Sequence, residues 1–221
     1  MTVVQCWDDG VTSDLRLIEI LRQYQARATF NLNAGLHGEQ RQTIMRHRET
    51  DVVRLARGEL NETYDGFAIG NHSLTHPRLD KLSPDEARRN LAEGRDRLQQ
   101  LFGRPVVGLA YPFGSFNCTA MEAARETGHL YARTTRSAEQ PFPPEDPMAF
   151  HPSCHVLAPD FGARYERARA RPDGLFYFWG HAYELTTERM WADLETVIAR
   201  IAADPLAQWG DLAALFEPNA R

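Results

Sequence analysis

Short apolar runs alternate with amphipathic stretches along the whole chain. Val3–Trp7 reads as a buried strand. Ser13 can cap a helix that carries Leu15, Ile18 and Leu21 on one face and ends near Tyr24. Ala28–Leu32, with its β-branched and aromatic residues, is the next strand. Residues 37–62 are polar and charged, and they read as an excursion over one mouth of the fold with helical character near Val52–Arg57. Phe67–Asn71 is a third strand. Ser83-Pro84-Asp85-Glu86 carries the signature of a helix start, and that helix runs to about Phe102 before Gly103. Val106–Tyr111 is a fourth strand, followed by a helix over Ala120–Thr127 closed by Gly128. Tyr131–Thr134 reads as a short strand, residues 138–148 as a proline-rich loop and His151–Leu157 as extended. Tyr165–Arg171 is helical, ended by Pro172-Asp173-Gly174, and Leu175–Trp179 is an aromatic strand. Thr187–Ala203 is the last long helix, stopped by Asp204-Pro205.

Repeated strand-then-helix units imply parallel strands joined by right-handed crossovers. About seven such units in 221 residues predict an α/β fold, a compact or incomplete (β/α) barrel. No internal repeat or linker divides the chain, so residues 1–221 read as one domain. In such folds the working side chains stand at the C-terminal ends of strands.

Ligand-type residues fall at those ends. Asp8-Asp9-Gly10 follows the first strand, and His72-Ser73-Leu74-Thr75-His76 follows the third. Two imidazoles and one carboxylate suit a divalent metal with open positions, leaving the second carboxylate free as a base. The bland alternative for Asp8-Asp9-Gly10 is an Asx-type turn into the first helix. His72 and His76 could share one side of a helical turn, but Pro77 disfavours helical geometry at His76, which points to a single turn leaving the strand. Tyr111-Pro112-Phe113-Gly114 follows the fourth strand. Proline has no N–H, so the Phe113 amide is the nearest donor for a substrate oxygen, and Tyr111 and Phe113 could stack on a sugar face. His181 follows the aromatic run ending in Trp179-Gly180 and suits a general acid. Glu184 is placed either to orient it or to begin a solvated helix. His151 and His155 read as rim residues, and His37, His47 and His129 carry no functional signal.

Composition narrows the field. The net charge is −5, hydrophobic residues make up 43% and charged residues 25%. No basic block offers itself to nucleic acid, no cationic amphipathic stretch to a membrane surface, and no apolar run is long enough to span a bilayer. The three cysteines, Cys6, Cys118 and Cys154, form no CxxC pair and read as buried free thiols, which favours a reducing compartment. With no leader at Met1-Thr2, a cytoplasmic location is expected; a leader removed beforehand would make the protein secreted.

The order Asp8-Asp9-Gly10, His72-Ser73-Leu74-Thr75-His76, Tyr111-Pro112-Phe113-Gly114 and a late His181 resembles the polysaccharide deacetylases of carbohydrate esterase family four. Ala28-Thr29-Phe30-Asn31 and Trp179-Gly180-His181-Ala182-Tyr183-Glu184 are also similar to bacterial members. The resemblance implies a distorted (β/α) barrel that removes N- or O-acetyl groups from sugars. It implies that Asp9, His72 and His76 hold a metal, usually Zn2+, with Asp8 as base and His181 as acid. Trp179, Tyr111 and Phe113 would face an acetylated sugar or oligosaccharide. Two departures stand out. Many members carry an Arg two residues before the motif's proline, where this chain has Ala110, and no acidic partner of His181 is evident.

The expected reaction is hydrolysis of a sugar acetamide or acetate ester, with a metal-activated water, Asp8 taking a proton and His181 returning one to the leaving group. Two alternatives remain at this point: C–N hydrolysis of a small cyclic amide or ureide on the same barrel, and a catalytically idle carbohydrate-binding protein.

Overall fold

The computed structural model describes residues 1–139, 142–171 and 174–216. Strand β1 (Thr2–Asp8) is the centre of the molecule. It is followed by α1 (Ser13–Gln23), β2 (Thr29–Leu32), β3 (Gln42–His47), β4 (Thr50–Arg54), α2 (Leu60–Thr63) and β5 (Ala68–Asn71). Then come α3 (Pro84–Phe102), β6 (Gly108–Ala110), α4 (Cys118–Glu126), β7 (Tyr131–Arg133) and β8 (Cys154–His155). The chain continues through α5 (Phe161–Arg169), β9 (Leu175–Gly180), α6 (Glu188–Ala203) and β10 (Gln208–Trp209). The main sheet has the order β7-β6-β5-β2-β1-β9-β8, every pairing is parallel, and β10 adds to the start of β1. The expected incomplete barrel of about seven parallel strands is what forms.

The two-residue period of the strands sorts their side chains. Val4, Cys6, Tyr131, Tyr177 and Trp179 turn inward and make one buried cluster with Phe150 and Leu212. Val3, Trp7, Phe30, Phe176 and Phe178 turn outward against α1, α5 and α6, through Leu17, Leu21, Tyr165, Trp191 and Ile198. Leu91 of α3 and Ala120 and Ala124 of α4 cover Leu109 and Ala132. The barrel is not closed by strand pairing between β7 and β8. Phe150 spans that side: its N–H donates to the Ala132 carbonyl (2.9 Å), its carbonyl accepts from Thr134 N–H (3.0 Å), and its ring stacks on Tyr177 at 5.0 Å.

Three expectations need correction. The 37–62 excursion is not helical at Val52. It is an antiparallel hairpin, β3 with β4, before a short helix, because Thr50, Val52 and Val53 are β-branched and Val52 can bury on one face. Ser13 does not cap α1: Thr12 is the N-cap residue and gives no side-chain bond. The orphan amide of Val11 instead donates to Asp14 Oδ2 (3.2 Å), which also accepts from the Tyr64 hydroxyl (2.6 Å). Cys6 and Cys154 are buried as expected, but Cys118 is exposed at the start of α4, where Asn117 takes the capping role. Pro172 and Asp173, expected to end α5, lie outside the described residues.

Elsewhere the local signals hold. Ser83 and Glu86 cap α3 reciprocally, with Ser83 N–H donating to Glu86 Oε2 (2.9 Å), and Gly103 ends that helix at φ 64°. Thr187 accepts from Met190 N–H (3.2 Å) at the start of α6.

Asp14 and Tyr64 anchor the turn that carries Asp8 and Asp9 out of β1. Tyr64→Phe leaves the buried Asp14 carboxyl short of a donor, and we expect a loss of about 1–3 kcal/mol in unfolding free energy, read by urea denaturation. A variant as stable as the wild type would show that the anchor carries no weight.

Candidate active site

Parallel strands in register bring their C-terminal ends to one level. Asp8 pairs with Asn31, Leu32 with Asn71, and Ala110 with Arg133 across the sheet. The mouth above them is a cavity of about 560 Å³ lined by Asp8, Asp9, His72, His76 and His181, with aromatic and aliphatic side chains around them. All five sequence-predicted polar residues meet there.

One ligand atom each from Asp9, His72 and His76 lies within 4.8 Å of the others. The two Nε2 atoms are 3.1 Å apart, and Asp9 Oδ1 is 3.9 Å from His72 Nε2 and 3.8 Å from His76 Nε2. His72 Nδ1 donates to the Ala110 carbonyl at 2.8 Å, which leaves the Nε2 lone pair facing the other two ligand atoms. Burial lowers the pKa of both imidazoles, so they are neutral near pH 7, the form that ligates. This donor set fits a borderline divalent cation.

The spacing of these ligands rests on uncommon backbone. Six non-glycine residues have positive φ among the described residues, and four belong to this site: Asp9 (83°), Ser73 (67°), His76 (56°) and Phe113 (58°). The turn after β5 is therefore not helical at His76, as Pro77 implied, and Ser73 Oγ closes it by accepting from His76 N–H at 3.0 Å. Asn33 Nδ2 holds the His72 carbonyl from the neighbouring strand end.

Asp8 is buried and stays off the ligand cluster. Its Oδ1 accepts from Asn31 Nδ2 (2.8 Å) and its Oδ2 from the Arg133 guanidinium. Burial works against its ionisation, but Arg133, and then His72 and His181, overcome that and hold it down to about 2. The Arg missing at position 110 is thus replaced from the next strand, at the neighbouring register position. The guanidinium also lies over the Trp179 ring, 4.4 Å from its centroid. Close packing is required around this pair: a Cβ at Gly70 would run into Asn31 Oδ1.

His181 sits across the cavity. Its Nε2 is 3.9 Å from both Asp8 Oδ2 and Asp9 Oδ2. Its Nδ1 donates to Glu184 Oε2 (3.1 Å), and the same carboxylate accepts from His155 Nε2 (2.9 Å). Burial disfavours the charged imidazole, yet Glu184, then Asp8 and Asp9, outweigh it and raise the His181 pKa. Glu184 is held well below the usual carboxylate range despite its burial, through His155 and His181. Glu184 is therefore the acidic neighbour of His181 that the sequence left open, and His155 shares its carboxylate.

The predicted substrate-facing residues divide. Phe113 is 61% exposed beside the cavity, its ring 4.5 Å from that of His76. Trp179 forms part of the wall. Tyr111 reaches the cavity, but its ring is fully buried against Phe116 and its hydroxyl donates to the Met148 carbonyl (2.9 Å). A sugar cannot stack on it, because the ring spends its face on packing. His37 and His129 are packed structural imidazoles, bonded to Leu55 and Asn71. Arg133 and Asn31 were missed by sequence reading. Their only signal was a polar residue at an inward position of a short buried strand.

Comparisons place this geometry. The chain belongs to the polysaccharide deacetylase family, whose model matches residues 1–132. A peptidoglycan-N-acetylglucosamine deacetylase of Bacillus cereus is 28% identical over 58% of this chain and 42% of its own length. A chitooligosaccharide deacetylase of Azorhizobium caulinodans is 26% identical over 55% of this chain and 52% of its own length. The matches cover between 21% and 52% of the length of the curated relatives. The fold is shared with a family 4 carbohydrate esterase from Streptomyces lividans in complex with acetate, at a TM-score of 0.63 and 17% identity over 95% of this chain and 91% of that one. It is also shared with a Bacillus anthracis pseudoenzyme of the same family, at a TM-score of 0.60 and 17% identity over 98% of this chain and 65% of that one.

Arg133→Gln would leave the Asp8 carboxylate buried without its counter-charge, and we expect a loss of about 3–5 kcal/mol at pH 7 in urea unfolding. Asp8 has a folded pKa below its unfolded one, so the ion pair stabilises above the unfolded value and its contribution fades as pH falls through about 2. The deficit of the variant should shrink on the acid side. A deficit independent of pH would assign Arg133 a packing role alone.

Proposed function

We propose that this protein is a metal-dependent hydrolase that removes acetyl groups, N- or O-linked, from a carbohydrate. The observation that carries the reading is the division of labour in one cavity: three ligand atoms converge within 4.8 Å while Asp8, in the same cavity, is ionised and committed to Arg133 instead. The family and the named activities of its members support the same substrate class.

Asp9, His72 and His76 would hold the cation, Zn2+ by the chemistry of the donor set; a related acetyl xylan esterase from Clostridium thermocellum carries a cobalt ion. When bound, the cation supplies an acidified water and polarises the acetyl carbonyl. Asp8 takes a proton as that water attacks, and Asn31 and Arg133 keep its carboxylate aimed at the cavity. The Phe113 amide, beside the cavity, would donate to the carbonyl oxygen as charge develops, a contribution typically worth about 3 kcal/mol. His181, kept protonated by Glu184, gives its proton to the leaving nitrogen or oxygen, and acetate and the free amine or alcohol depart.

Two measurements test this. Asp8→Asn should retain the cation, by elemental analysis of the purified protein, and lose roughly 10²–10⁴-fold in acetate release from acetylated oligosaccharides. Full turnover in that variant, or no acetate from the metal-loaded wild type, refutes the role or the reading. Glu184→Gln removes the charge that raises the His181 pKa, so the alkaline limb of the rate profile should move to lower pH; an unmoved limb rejects His181 as the acid.

A further inference from the structure

Two arginines reach the mouth, and only one is accounted for. Arg133 is paired with Asp8. Arg54, at the end of β4, also lines the cavity and is 6% exposed, yet its side chain makes no hydrogen bond and no ion pair among the described residues, and its Nε is buried without a partner. The backbone fixes it firmly. Leu55 N–H donates to the Gly10 carbonyl (3.0 Å) and Thr12 N–H to the Val53 carbonyl (2.8 Å), which stitches β4 to the turn that follows Asp9. Burial disfavours its charge, and Asp9 and the Tyr183 phenol favour it only from beyond ion-pair distance, the Asp9 carboxylate facing the two imidazoles instead.

A buried guanidinium without a counter-ion is costly, and neutral hydroxyls do not offset it. Its planar fork matches a carboxylate in two parallel hydrogen bonds. The wall beside it is apolar, through Leu36, Ile44 and Met45, so a singly charged group with few further polar demands fits better than a phosphate dianion.

We propose that Arg54 is a substrate-binding residue that receives a carboxylate carried by the acetylated sugar. The substrate class is then an acetylated acidic sugar, its carboxylate on a lactyl ether or as a uronic acid, within one cavity of the acetyl group. The proposal rests on the deacetylase reading above for the acetyl group but not for the carboxylate.

The test compares matched ligands. Equilibrium binding by tryptophan fluorescence, with acetate monitored in the same samples, is measured for N-acetylmuramic acid against N-acetylglucosamine, which differ by the lactyl carboxylate. O-acetylated galacturonan against acetylated xylan repeats the comparison in rate for a uronate source. Wild type should prefer an acidic member by at least roughly tenfold. The pair that shows the preference identifies the source. Arg54→Gln should bring that ratio close to one, and Arg54→Lys should keep part of it. Equal handling of acidic and neutral ligands by wild type, which needs no variant to fold, overturns the proposal. So does an Arg54→Gln protein that keeps the full ratio. Acetate release without discrimination rejects the carboxylate subsite and keeps the deacetylase reading; discrimination in binding without acetate release upholds the subsite and counts against that reading.

Discussion

The buried pair of Asp8 and Arg133 is the constraint around which the rest is arranged. A carboxylate taken out of water reverts to its neutral form unless a fixed positive charge and hydrogen bonds hold it ionised. Here the guanidinium and the Asn31 amide do both, on different oxygens. Meeting that demand requires β1, β2 and β7 to end at one level, and the parallel register supplies it. It also requires room for an arginine side chain to cross the interior from β7 to β1. Ala110, beside Arg133 in register, provides that room because its own side chain is small. The absence of an arginine at 110 and its presence at 133 are one arrangement: the positive charge has moved over by one strand while its partner has not.

The same level carries the strain of the molecule. Asp9, Ser73, His76 and Phe113 hold left-handed backbone, each at a cost of order 1–3 kcal/mol, within loops that leave three different strands. Such conformations persist only where the surroundings over-determine them. Each of these loops is tied to a neighbour: the turn after β1 to the β4 backbone, the turn after β5 to Asn33 and Asn90, and the turn after β6 to its own carbonyls at Tyr111 and Pro112. The outward core of Val3, Trp7, Phe176 and Phe178 provides the rigid base that lets these loops stay strained.

How much of this could be read beforehand follows from the range of each interaction. Strand ends, helix caps and the Asp-Asp and His-x-x-x-His clusters are local, so Ser83 with Glu86, or His76 before Pro77, announced themselves in the sequence. Arg133 and Glu184 did not, for different reasons. Arg133 acts on a residue far away in the chain, and only the curl of the sheet brings them together. Glu184 was visible beside His181, but a carboxylate at the start of a short helix is ambiguous until its second partner, His155 on another strand, is in place. The β3–β4 hairpin was misread because its apolar residues Ile44 and Met45 stay exposed over the mouth and so break the alternation that marks a half-buried strand.

Adjacent aspartates with different tasks need a physical reason to differ, and the surroundings give one. Asp8 already has its charge neutralised by Arg133, and both its oxygens are engaged, by Arg133 and Asn31. Asp9 faces two imidazoles that burial keeps neutral, and one ligand atom of each lies within 4.8 Å of the others, so a divalent cation there would gain three donors. Asp8 and Arg133 neutralise each other at this mouth, which leaves the Asp9 carboxylate and the separate Arg54 guanidinium. Under the proposed function a divalent ion would turn the cavity net positive, inside walls that are largely apolar, where charges act strongly on one another. That excess would favour developing negative charge on a carbonyl oxygen. Under the proposed function, the aspartate held by arginine would therefore be the proton acceptor, and the aspartate without one would go to the metal.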